Sequence, residues 1–519
     1  MRRSFWASGL LAGVFLALAG SSAEAKGRLP FRSFSLPVRG VVRNFVTADF
    51  ARDGLRDVVI TYVVFDEAQR KTDRFFAFYP QTAEGFSNEP AQTWEVPADA
   101  VGLDVGNFDL TTPGPELGYI ASGGIFYFKF DQDRFITAPT RLLTAPTVFR
   151  ALDPHSVVAM QFATDLSGDG QEEIIVADFG QTYLYAVLGE GAEKYWSLVK
   201  IFPTPLRGRV STYWENDVLL SRIEQSSSRT EILLPQVMQG DLDGDGLTDV
   251  LAPREGTLFV YRQTAPGVFA DFPLLIDFAV FPLSQFMRHG SIPEVTRLYP
   301  ADFNGDGLSD VIISRLQVSD LGSAELVARF YVFLNKGGKF GERPDEEWTS
   351  EGGFIEQPLL ADFNQDGRDD IAVQRFPFGV SALLRYKLFE SAKVEYELYL
   401  SDAKGKHDFG NPSEERRVTF DFDLSKQSAS LLVGFSLFCD FDGDRNLDLL
   451  QAKDPDGYTI LLSTPKEWAD EKVEVEIPSS FFTFPQDLNG DGRDDILVRY
   501  ANQGDLDSQV RILLSVPSK

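Results

Sequence analysis

Carboxylate side chains recur at a fixed spacing in one short stretch of the chain. From Asp241 the sequence reads DLDGDGLTDVLAP, which places an acid at positions 1, 3, 5 and 9 of a nine-residue segment. Like charges this close together repel one another unless a cation lies among them. Ca²⁺ takes six to eight oxygen ligands, so these four side chains and the carbonyl at position 7 would suit it. Glycine at position 6 permits the sharp turn that brings the ligands together.

The same spacing recurs along the whole chain, roughly every 50 to 80 residues. Seven copies begin at Asp49, Asp165, Asp241, Asp302, Asp362, Asp440 and Asp487. The pattern predicts structural calcium sites whose ligands are Asp49, Asp53, Asp57, Asp165, Ser167, Asp169, Glu173, Asp241, Asp243, Asp245, Leu247, Asp249, Asp302, Asn304, Asp306, Leu308, Asp310, Asp362, Asn364, Asp366, Arg368, Asp370, Asp440, Asp442, Asp444, Asn446, Asp448, Asp487, Asn489, Asp491, Arg493 and Asp495.

Some copies depart from the acidic pattern. Ala51 stands at position 3 of the first loop, which predicts weak binding there or binding through water. A weaker copy, NFDLTTPGPELGYI from Asn107, has one extra residue and carries Thr111 and Pro113 where acids are expected. We predict that this loop binds no ion. The remaining copies predict about six to seven structural calcium sites in all.

Two other interpretations of the acidic loops are less consistent with the residues. An EF-hand needs a bidentate Glu at position 12 and helices on both sides, whereas Ala252, Ile313 and Val373 stand there and the flanks are strand-like. Turns that are merely polar favour Asp, Asn and Gly, but they do not require acids at the same four positions in copy after copy.

The segments between the loops predict β-strands. Each loop is followed by a β-rich run such as DVVITYVVF, then by a hairpin with an aromatic residue on each arm, and then by a fourth apolar segment. Repeated four-stranded units are typical of propeller blades, so we predict an all-β propeller with eight blades, or seven if the Asn107 unit merges with a neighbour. The last unit lacks one strand, which residues 31–38 can supply, and this pairing would close the ring.

These motifs resemble the FG-GAP/VCBS repeats, whose best-known relatives are the blades of the integrin α-subunit propeller. The resemblance is carried by ADFNGDGLSDVII and its copies and by hairpins such as FYVFLNKGGKFGE, and it covers about residues 31–516. It implies a calcium-binding β-propeller with the metal loops between the first two strands of each blade. It leaves the function open, because this fold hosts adhesion proteins, lectins and polysaccharide lyases.

Composition and the first residues predict an exported protein. The net charge of the 519-residue chain is −28, which argues against nucleic acid as a partner. Residues 1–25 have the basic start, apolar run and A-x-A end of a signal peptide, so we predict cleavage after Ala25 and a single propeller domain over 26–519. The mature chain is expected to be a periplasmic, secreted or cell-surface monomer without a membrane span. The lone Cys439 is predicted to be a packing residue.

Basic and aromatic residues predict a ligand-binding rim opposite the calcium loops. Two long segments, 203–235 and 401–428, are interpreted as connections between blades, and a third connection contains FMRHG. His155 falls in a similar connection. The candidate ligand-binding residues on this rim are Arg207, Arg209, Trp214, Arg288, His289, Lys406 and His407.

The sequence favours recognition over catalysis. None of the motifs G-x-S-x-G, H-E-x-x-H or a phosphate-binding glycine loop occurs, and the histidines have no metal-ligand spacing. We therefore expect a binding, adhesion or scaffold module for a protein or glycan partner. The alternative is a lyase-like polysaccharide enzyme, which would need a base such as His289, His407 or Tyr213 beside a cation.

Overall fold

The structure is a computed structural model, and it describes most of the chain after residue 30. It covers residues 31–516 except for 67, 69–70, 113, 150–156, 168–169, 179–180, 190, 203–206, 218–221, 234–236, 255–256, 279–294, 319–325, 351–352, 356–357, 378–390, 422–434, 454–456, 465–466 and 481. The described residues form strands, turns and short 3-10 segments (Gly191–Glu193 and Gly504–Ser508).

Eight antiparallel sheets follow one another along the chain. Blades 1 to 4 have the strands Val41–Ala48, Asp57–Asp66, Lys71–Tyr79 and Gln92–Glu95; Ala100–Gly106, Glu116–Ala121, Gly124–Phe128 and Thr140–Leu143; Ala163–Thr164, Glu173–Ala177, Thr182–Leu188 and Tyr195–Phe202; Met238–Gly240, Asp249–Arg254, Thr257–Tyr261 and Leu274–Asp277. Blades 5 to 8 have Val295–Ala301, Asp310–Val318, Leu326–Phe333 and Glu346–Ser350; Leu359–Ala361, Asp370–Pro377, Ser391–Tyr399 and Glu414–Asp421; Phe435–Cys439, Asp448–Lys453, Gly457–Thr464 and Glu467–Val475; Phe482–Gln486, Asp495–Arg499, Gln509–Ser515 and Phe31–Pro37.

Several shorter strands lie beside the blades. Val158–Ala159 pairs in parallel with the first strand of blade 2, and Gly353–Ile355 extends the first strand position of blade 6. Small hairpins follow the third strands of blades 1, 2 and 4, as the aromatic hairpin motifs predict. They are Gln81–Thr82 with Gly85–Phe86, Phe130–Asp131 with Arg134–Phe135, and Gln263–Ala265 with Val268–Phe269.

The first described strand completes the last blade. Phe31–Pro37 pairs antiparallel with Gln509–Ser515, with Phe31 opposite Ser515 and Pro37 opposite Gln509. The Asn107 unit forms a full blade of its own. The predictions of eight blades and of closure by the N-terminal strand are therefore confirmed.

The hydrophobic core lies between the blades. Each of eight buried clusters is built from two consecutive blades, and one of them joins blade 8 to blade 1 through Leu497, Ile512 and Tyr79. Because a blade packs against a neighbour on both faces, its second strand is apolar on both faces, as in DVVITYV, whose seven residues are all buried. Cys439 is fully buried in the cluster between blades 7 and 8, in agreement with a packing role.

The order of the strands places the connections on two rims. Every acidic loop joins the first and second strands of a blade, and the turn after the third strand returns to the same side. We call this side the acidic rim. Connections from the second to the third strand, and from the fourth strand to the next blade, lie on the opposite rim.

Candidate metal centres on the acidic rim

Hydrogen bonds to the first aspartate shape each acidic loop. In the loop 241–249, Asp241 Oδ1 accepts from the Gly244 amide at 2.7 Å and Oδ2 accepts from the Gly246 amide at 2.9 Å. Both glycines have positive φ, 78° and 81°, which explains why glycine is favoured there. Asp245 in turn accepts from the amide of Leu247 at 2.8 Å. The result is a tight turn with its acidic side chains close together.

The acid at position 9 ties the loop to its blade. Asp249 is fully buried; its Oδ2 accepts from the Leu242 amide at 3.2 Å and its Oδ1 from the Gln263 amide at 2.9 Å. Gln263 lies just after the third strand, so one carboxylate joins the acidic loop to the next turn on the rim. The same pair of bonds is made by Asp310, Asp370, Asp448 and Asp495.

Burial makes the charge of these position-9 acids costly. Burial raises the pKa of Asp249 to about 6, that of Asp310 to about 7 and that of Asp448 to about 8, although backbone amides oppose the shift. The neighbouring aspartates of each loop raise these pKa values further. A bound cation would remove this penalty, because it favours the ionised carboxylates.

The side chains present fit a calcium ion. Carboxylate oxygens of Asp241, Asp243 and Asp249 lie within 4.8 Å of one another, and those of Asp440, Asp442 and Asp448 do the same. Asp243 Oδ1 is buried and has no hydrogen-bond partner. An unpartnered buried carboxylate oxygen is costly in a folded protein, and a hard cation with oxygen ligands would satisfy it. These two clusters could therefore hold a metal.

The other loops resemble this arrangement to different degrees. In loops 302–310, 362–370 and 487–495, asparagine replaces aspartate at position 3, and its side-chain oxygen accepts from the position-5 amide at 2.9–3.0 Å. In the first loop the Ala51 amide donates to Asp57 at 3.0 Å. In loop 165–173, Glu173 accepts from the amide of Leu166, as the position-9 aspartates accept from position 2, and also from the amide of Ser167. Asp169 lies outside the described residues.

At the Asn107 loop, side-chain cations pair with the acids that are present. Lys129 Nζ lies 2.8 Å from Oδ2 of the buried Asp109, and Arg52 lies 3.6 Å from the buried Glu116. Glu116 accepts from the amides of Phe108 and Asp109, so it takes the structural role of position 9. Sequence reasoning missed Lys129, because it lies 20 residues after Asp109 in a hairpin that shows no metal motif.

The long segment after blade 3 forms a separate hairpin. Arg207–Asp217 pairs antiparallel with Arg222–Leu233, and within the described residues neither strand belongs to a blade sheet. The hairpin connects the fourth strand of blade 3 to the first strand of blade 4, in agreement with the predicted connection. Arg207, Arg209 and Trp214 lie in its first strand, where the structure describes the backbone. Arg288, His289 and His155 lie outside the described residues.

The predicted position of the segment 401–428 is wrong for residues 401–421, and residues 422–428 lie outside the described residues. Residues 400–413 join the third and fourth strands of blade 6, which pair with each other, so they lie on the acidic rim and not between two blades. His407 is buried there; its Nδ1 lies 2.9 Å from Glu346 Oε2, and its ring packs against Phe303 and Phe409. Lys406 is exposed on the same turn. His407 is thus a packing residue in this structure, and it is remote from the 207–233 hairpin in the order of the blades.

Comparison with protein families agrees with this geometry. A family model described as an FG-GAP-like repeat matches residues 241–313 and 302–373. Each match contains two consecutive acidic loops and the strands between them. Residues 241–373 of this β-propeller therefore match FG-GAP-like repeats, and the resemblance inferred from the sequence motifs is confirmed for these residues.

One curated human protein and several solved structures are similar to the chain. The human T-cell immunomodulatory protein is 25% identical over 338 residues, which cover 54% of this chain and 52% of that protein. The chain thus matches about half the length of this relative.

Among solved structures, a lectin from Agrocybe aegerita that recognises non-reducing terminal N-acetylglucosamine has a TM-score of 0.34 and 14% identity, covering 76% of this chain and 86% of the lectin. The WD40 domain of SCAP from fission yeast has a TM-score of 0.31 and 12% identity, covering 87% and 99%. The rhamnogalacturonan lyase YesW has a TM-score of 0.26 and 12% identity, covering 93% and 91%. At these TM-scores, none of the three similarities bears on function. Within the part of the chain that the structure describes, no helix is long and apolar enough to cross a bilayer.

Proposed function

We propose that the protein is an exported propeller scaffold whose acidic loops bind structural calcium and which recognises a protein or glycan partner. The calcium proposal is supported by the position-9 carboxylates, each of which ties an acidic loop to the body of its blade. An ion held there would stabilise the corner of a blade and leave the rest of the surface available for recognition. Asp241, Asp243 and Asp249 would hold one such ion, with the Leu247 carbonyl as a further ligand.

The calcium proposal is tested by thermal unfolding in chelator and in calcium. Extracellular calcium modules bind at about 10⁻⁴–10⁻³ M, and at tenfold excess over Kd one site adds roughly 1.4 kcal/mol to the unfolding free energy. Six sites would together add on the order of 8 kcal/mol, comparable with the stability of a typical domain. We expect EDTA to lower the melting temperature strongly and calcium, but not magnesium, to restore it. Identical melting curves in EDTA and in calcium would contradict the proposal.

The proposed recognition element is the 207–233 hairpin, and the observation that carries this proposal is its separation from the blade sheets. Its first strand has 11 residues, so it extends about 35 Å along its length. Long segments on a rigid scaffold are where recognition tends to occur. Its sequence offers Arg207, Arg209 and Trp214, which suit a ligand with acidic groups and an apolar surface.

Binding to sulfated and uronic-acid-containing glycans and to acidic peptides would test the hairpin. We expect R207Q/R209Q and W214A to reduce binding at least several-fold without changing the melting temperature. The matched control is K404Q/K406Q, which removes two exposed charges from the acidic rim. Equal loss of binding in both charge variants would contradict a role for the hairpin. Release of unsaturated uronic acid products, followed by absorbance, would instead favour the lyase alternative.

Export is proposed from the first 25 residues, which lie outside the described part of the chain. N-terminal sequencing of the protein recovered from the periplasm or medium should begin at Lys26. A mature chain that retains Met1 would contradict this proposal.

A further inference from the structure

Neighbouring acidic loops are hydrogen-bonded to each other around the rim. At three junctions the residue at position 8 of one loop donates its amide to the carbonyl of position 1 in the preceding loop. Ser309 donates to Asp241 at 2.7 Å, Asp369 to Asp302 at 2.7 Å, and Asp494 to Asp440 at 2.6 Å. Each donor is adjacent in sequence to the position-9 acid of its own loop.

Two of these junctions have a second hydrogen bond from a carboxylate. Asp369 Oδ2 accepts from the Asp302 amide at 2.8 Å, and Asp494 Oδ2 accepts from the Asp440 amide at 2.9 Å. Both polar backbone groups of Asp302 and of Asp440 are therefore held by the following loop. The two junctions share the sequence DGRDD, in which the first aspartate of the final pair makes the inter-loop bonds.

Side-chain packing reinforces the same two junctions. A Cβ atom added to Gly305 would lie 3.0 Å from Cγ of Arg368, and one added to Gly443 would lie 3.2 Å from Cγ of Arg493. Glycine at position 4 thus lets the arginine stem at position 7 of the next loop pack closely. Since the same contacts occur between blades 5 and 6 and again between blades 7 and 8, the junction is a repeated structural unit.

Residues 368–370 contribute to two neighbouring loops. Arg368 and Asp370 are predicted ligands of the ion in loop 362–370, through the carbonyl and the carboxylate respectively. Asp369, between them, holds the backbone of Asp302, which is the predicted first ligand of the preceding loop. Ordering of segment 368–370 by one ion therefore also orders Asp302, and a second ion binds without the full cost of ordering its loop.

We propose that Asp369 and Asp494 are positioning residues that couple calcium binding between neighbouring loops. The loop pairs 302–310 with 362–370, and 440–448 with 487–495, then fill cooperatively. This inference rests on the proposed calcium binding and adds the statement that the sites are not independent. Coupling of this kind is reciprocal, so each loop of a pair raises the affinity of the other by the same factor.

Calcium titration followed by hydrogen–deuterium exchange separates the loops, because each lies in a different peptide. The variant D306A removes a predicted ligand from loop 302–310. We expect it to raise the calcium concentration for half-protection of loop 362–370 by roughly fivefold or more. Loop 487–495, which has no junction with loop 302–310, should keep its midpoint. By reciprocity, D366A should shift loop 302–310.

A double-mutant cycle assigns the coupling to Asp369. In a D369A background, D306A should shift the midpoint of loop 362–370 much less, because only the backbone bond from residue 369 to Asp302 remains. The matched control is S309A, at the same position of loop 302–310, where the inter-loop bond is made by the backbone and so should survive. D494A with D444A repeats the test on the other pair if D369A does not fold, as judged by circular dichroism.

The outcomes distinguish this inference from the calcium proposal. If D306A leaves the midpoint of loop 362–370 unchanged while loop 302–310 loses its protection, the loops are independent and the inference is wrong. If the shift persists undiminished in both the D369A and the D494A backgrounds, these side chains do not transmit it and the inference is also wrong. If calcium protects no loop in the native chain, the proposed calcium binding itself fails.

Discussion

Asp249 and its counterparts serve the fold and the predicted metal site with one carboxylate. Asp249 accepts from two backbone amides and also lies within 4.8 Å of the carboxylates of Asp241 and Asp243. Asp243 differs, because its Oδ1 is buried without a hydrogen-bond partner and its Oδ2 pairs with the half-exposed Arg262. The two residues should therefore respond differently to substitution.

We predict that D249A destabilises the protein with and without calcium, whereas D243A removes mainly the calcium-dependent part. Its calcium-independent loss should be small, because the Arg262 side chain that pairs with Asp243 Oδ2 at 3.1 Å is 42% exposed. Loss of the Asp249 carboxylate leaves two amides without their partner, at a cost of about 1–3 kcal/mol in unfolding free energy. Denaturant unfolding in EDTA and in calcium measures both contributions. A D249A variant as stable as the native chain in EDTA would contradict the structural role of position 9.

The cations beside the Asn107 loop lead to a second prediction at the residue scale. The variant K129M leaves Asp109, whose side chain is 7% exposed, without its ammonium partner. Because Lys129 itself is 41% exposed, we expect a loss of roughly 1–2 kcal/mol in unfolding free energy, equal in EDTA and in calcium. The loss should be equal in EDTA and in calcium because, at this corner of blade 2, Lys129 supplies the positive charge that a bound ion would supply elsewhere.

The control for this prediction is K336M. Lys336 pairs with Asp345 at 2.7 Å on a more exposed surface, where such pairs contribute little. A K129M loss that appears in EDTA but disappears in calcium would show that an ion can replace Lys129 at the Asn107 loop, contrary to the sequence prediction.

At the scale of elements, features that depend on local sequence patterns could be predicted, whereas features that depend on long-range contacts could not. The acidic loops, the strand-rich units and the closing strand 31–38 could be predicted, because each depends on residue spacing within about ten positions or on the count of strands. The junction made by Asp369 could not, because its partner Asp302 is 67 residues away in another blade. Glycine at position 4 was visible in the sequence, but its role depends on the arginine of the next loop.

The error over residues 401–421 has a physical cause. The strand Glu414–Asp421 begins with EERR, which reads as a polar linker in sequence, yet it pairs along its length with Ser391–Tyr399. A fourth strand can be polar when it has a free edge, because it packs less completely than the strands inside a blade. The prediction from charge alone therefore assigned Lys406 and His407 to the wrong rim.

The closing strand gives a prediction at the element scale. Removal of residues 26–38 deletes the partner of Gln509–Ser515 and exposes Leu513 and Ile512 from the clusters beside blade 8. We expect a marked fall in melting temperature and association through the free edge, measured by calorimetry and light scattering. Removal of residues 26–30 alone is the control and should change neither. An unaltered monomer after the longer deletion would contradict the role of this strand.

At the scale of the whole molecule, the buried acids predict opposite effects of pH with and without calcium. Burial raises the pKa of Asp57, Asp249, Asp310 and Asp370 to about 6–7. A carboxyl whose pKa is higher in the folded than in the unfolded chain binds protons preferentially when folded. In chelator the unfolding free energy should therefore fall as pH rises from about 4 to about 8, and level off above that.

With saturating calcium the trend should reverse, because the ion binds the ionised carboxylates and protons compete with it. Melting temperatures at about pH 5 and about pH 8, in EDTA and in calcium, test both signs. High salt is the control, since it screens the general repulsion of a chain with net charge −28 but not the cost of burial. A melting temperature in EDTA that rises with pH would contradict the role assigned to these acids.

The pairing of the first described strand with the last has a consequence for how the chain folds. Ser35 and Gln509 are 474 residues apart yet are hydrogen-bonded across the closing blade. Blades 1 to 7 are continuous in sequence and need only local contacts, but blade 8 is complete only when both of its distant segments are present. Contacts this far apart in sequence form late and slow folding. The strand Gln509–Ser515 must therefore be synthesised before the ring can close, so closure follows the synthesis of blades 1 to 7.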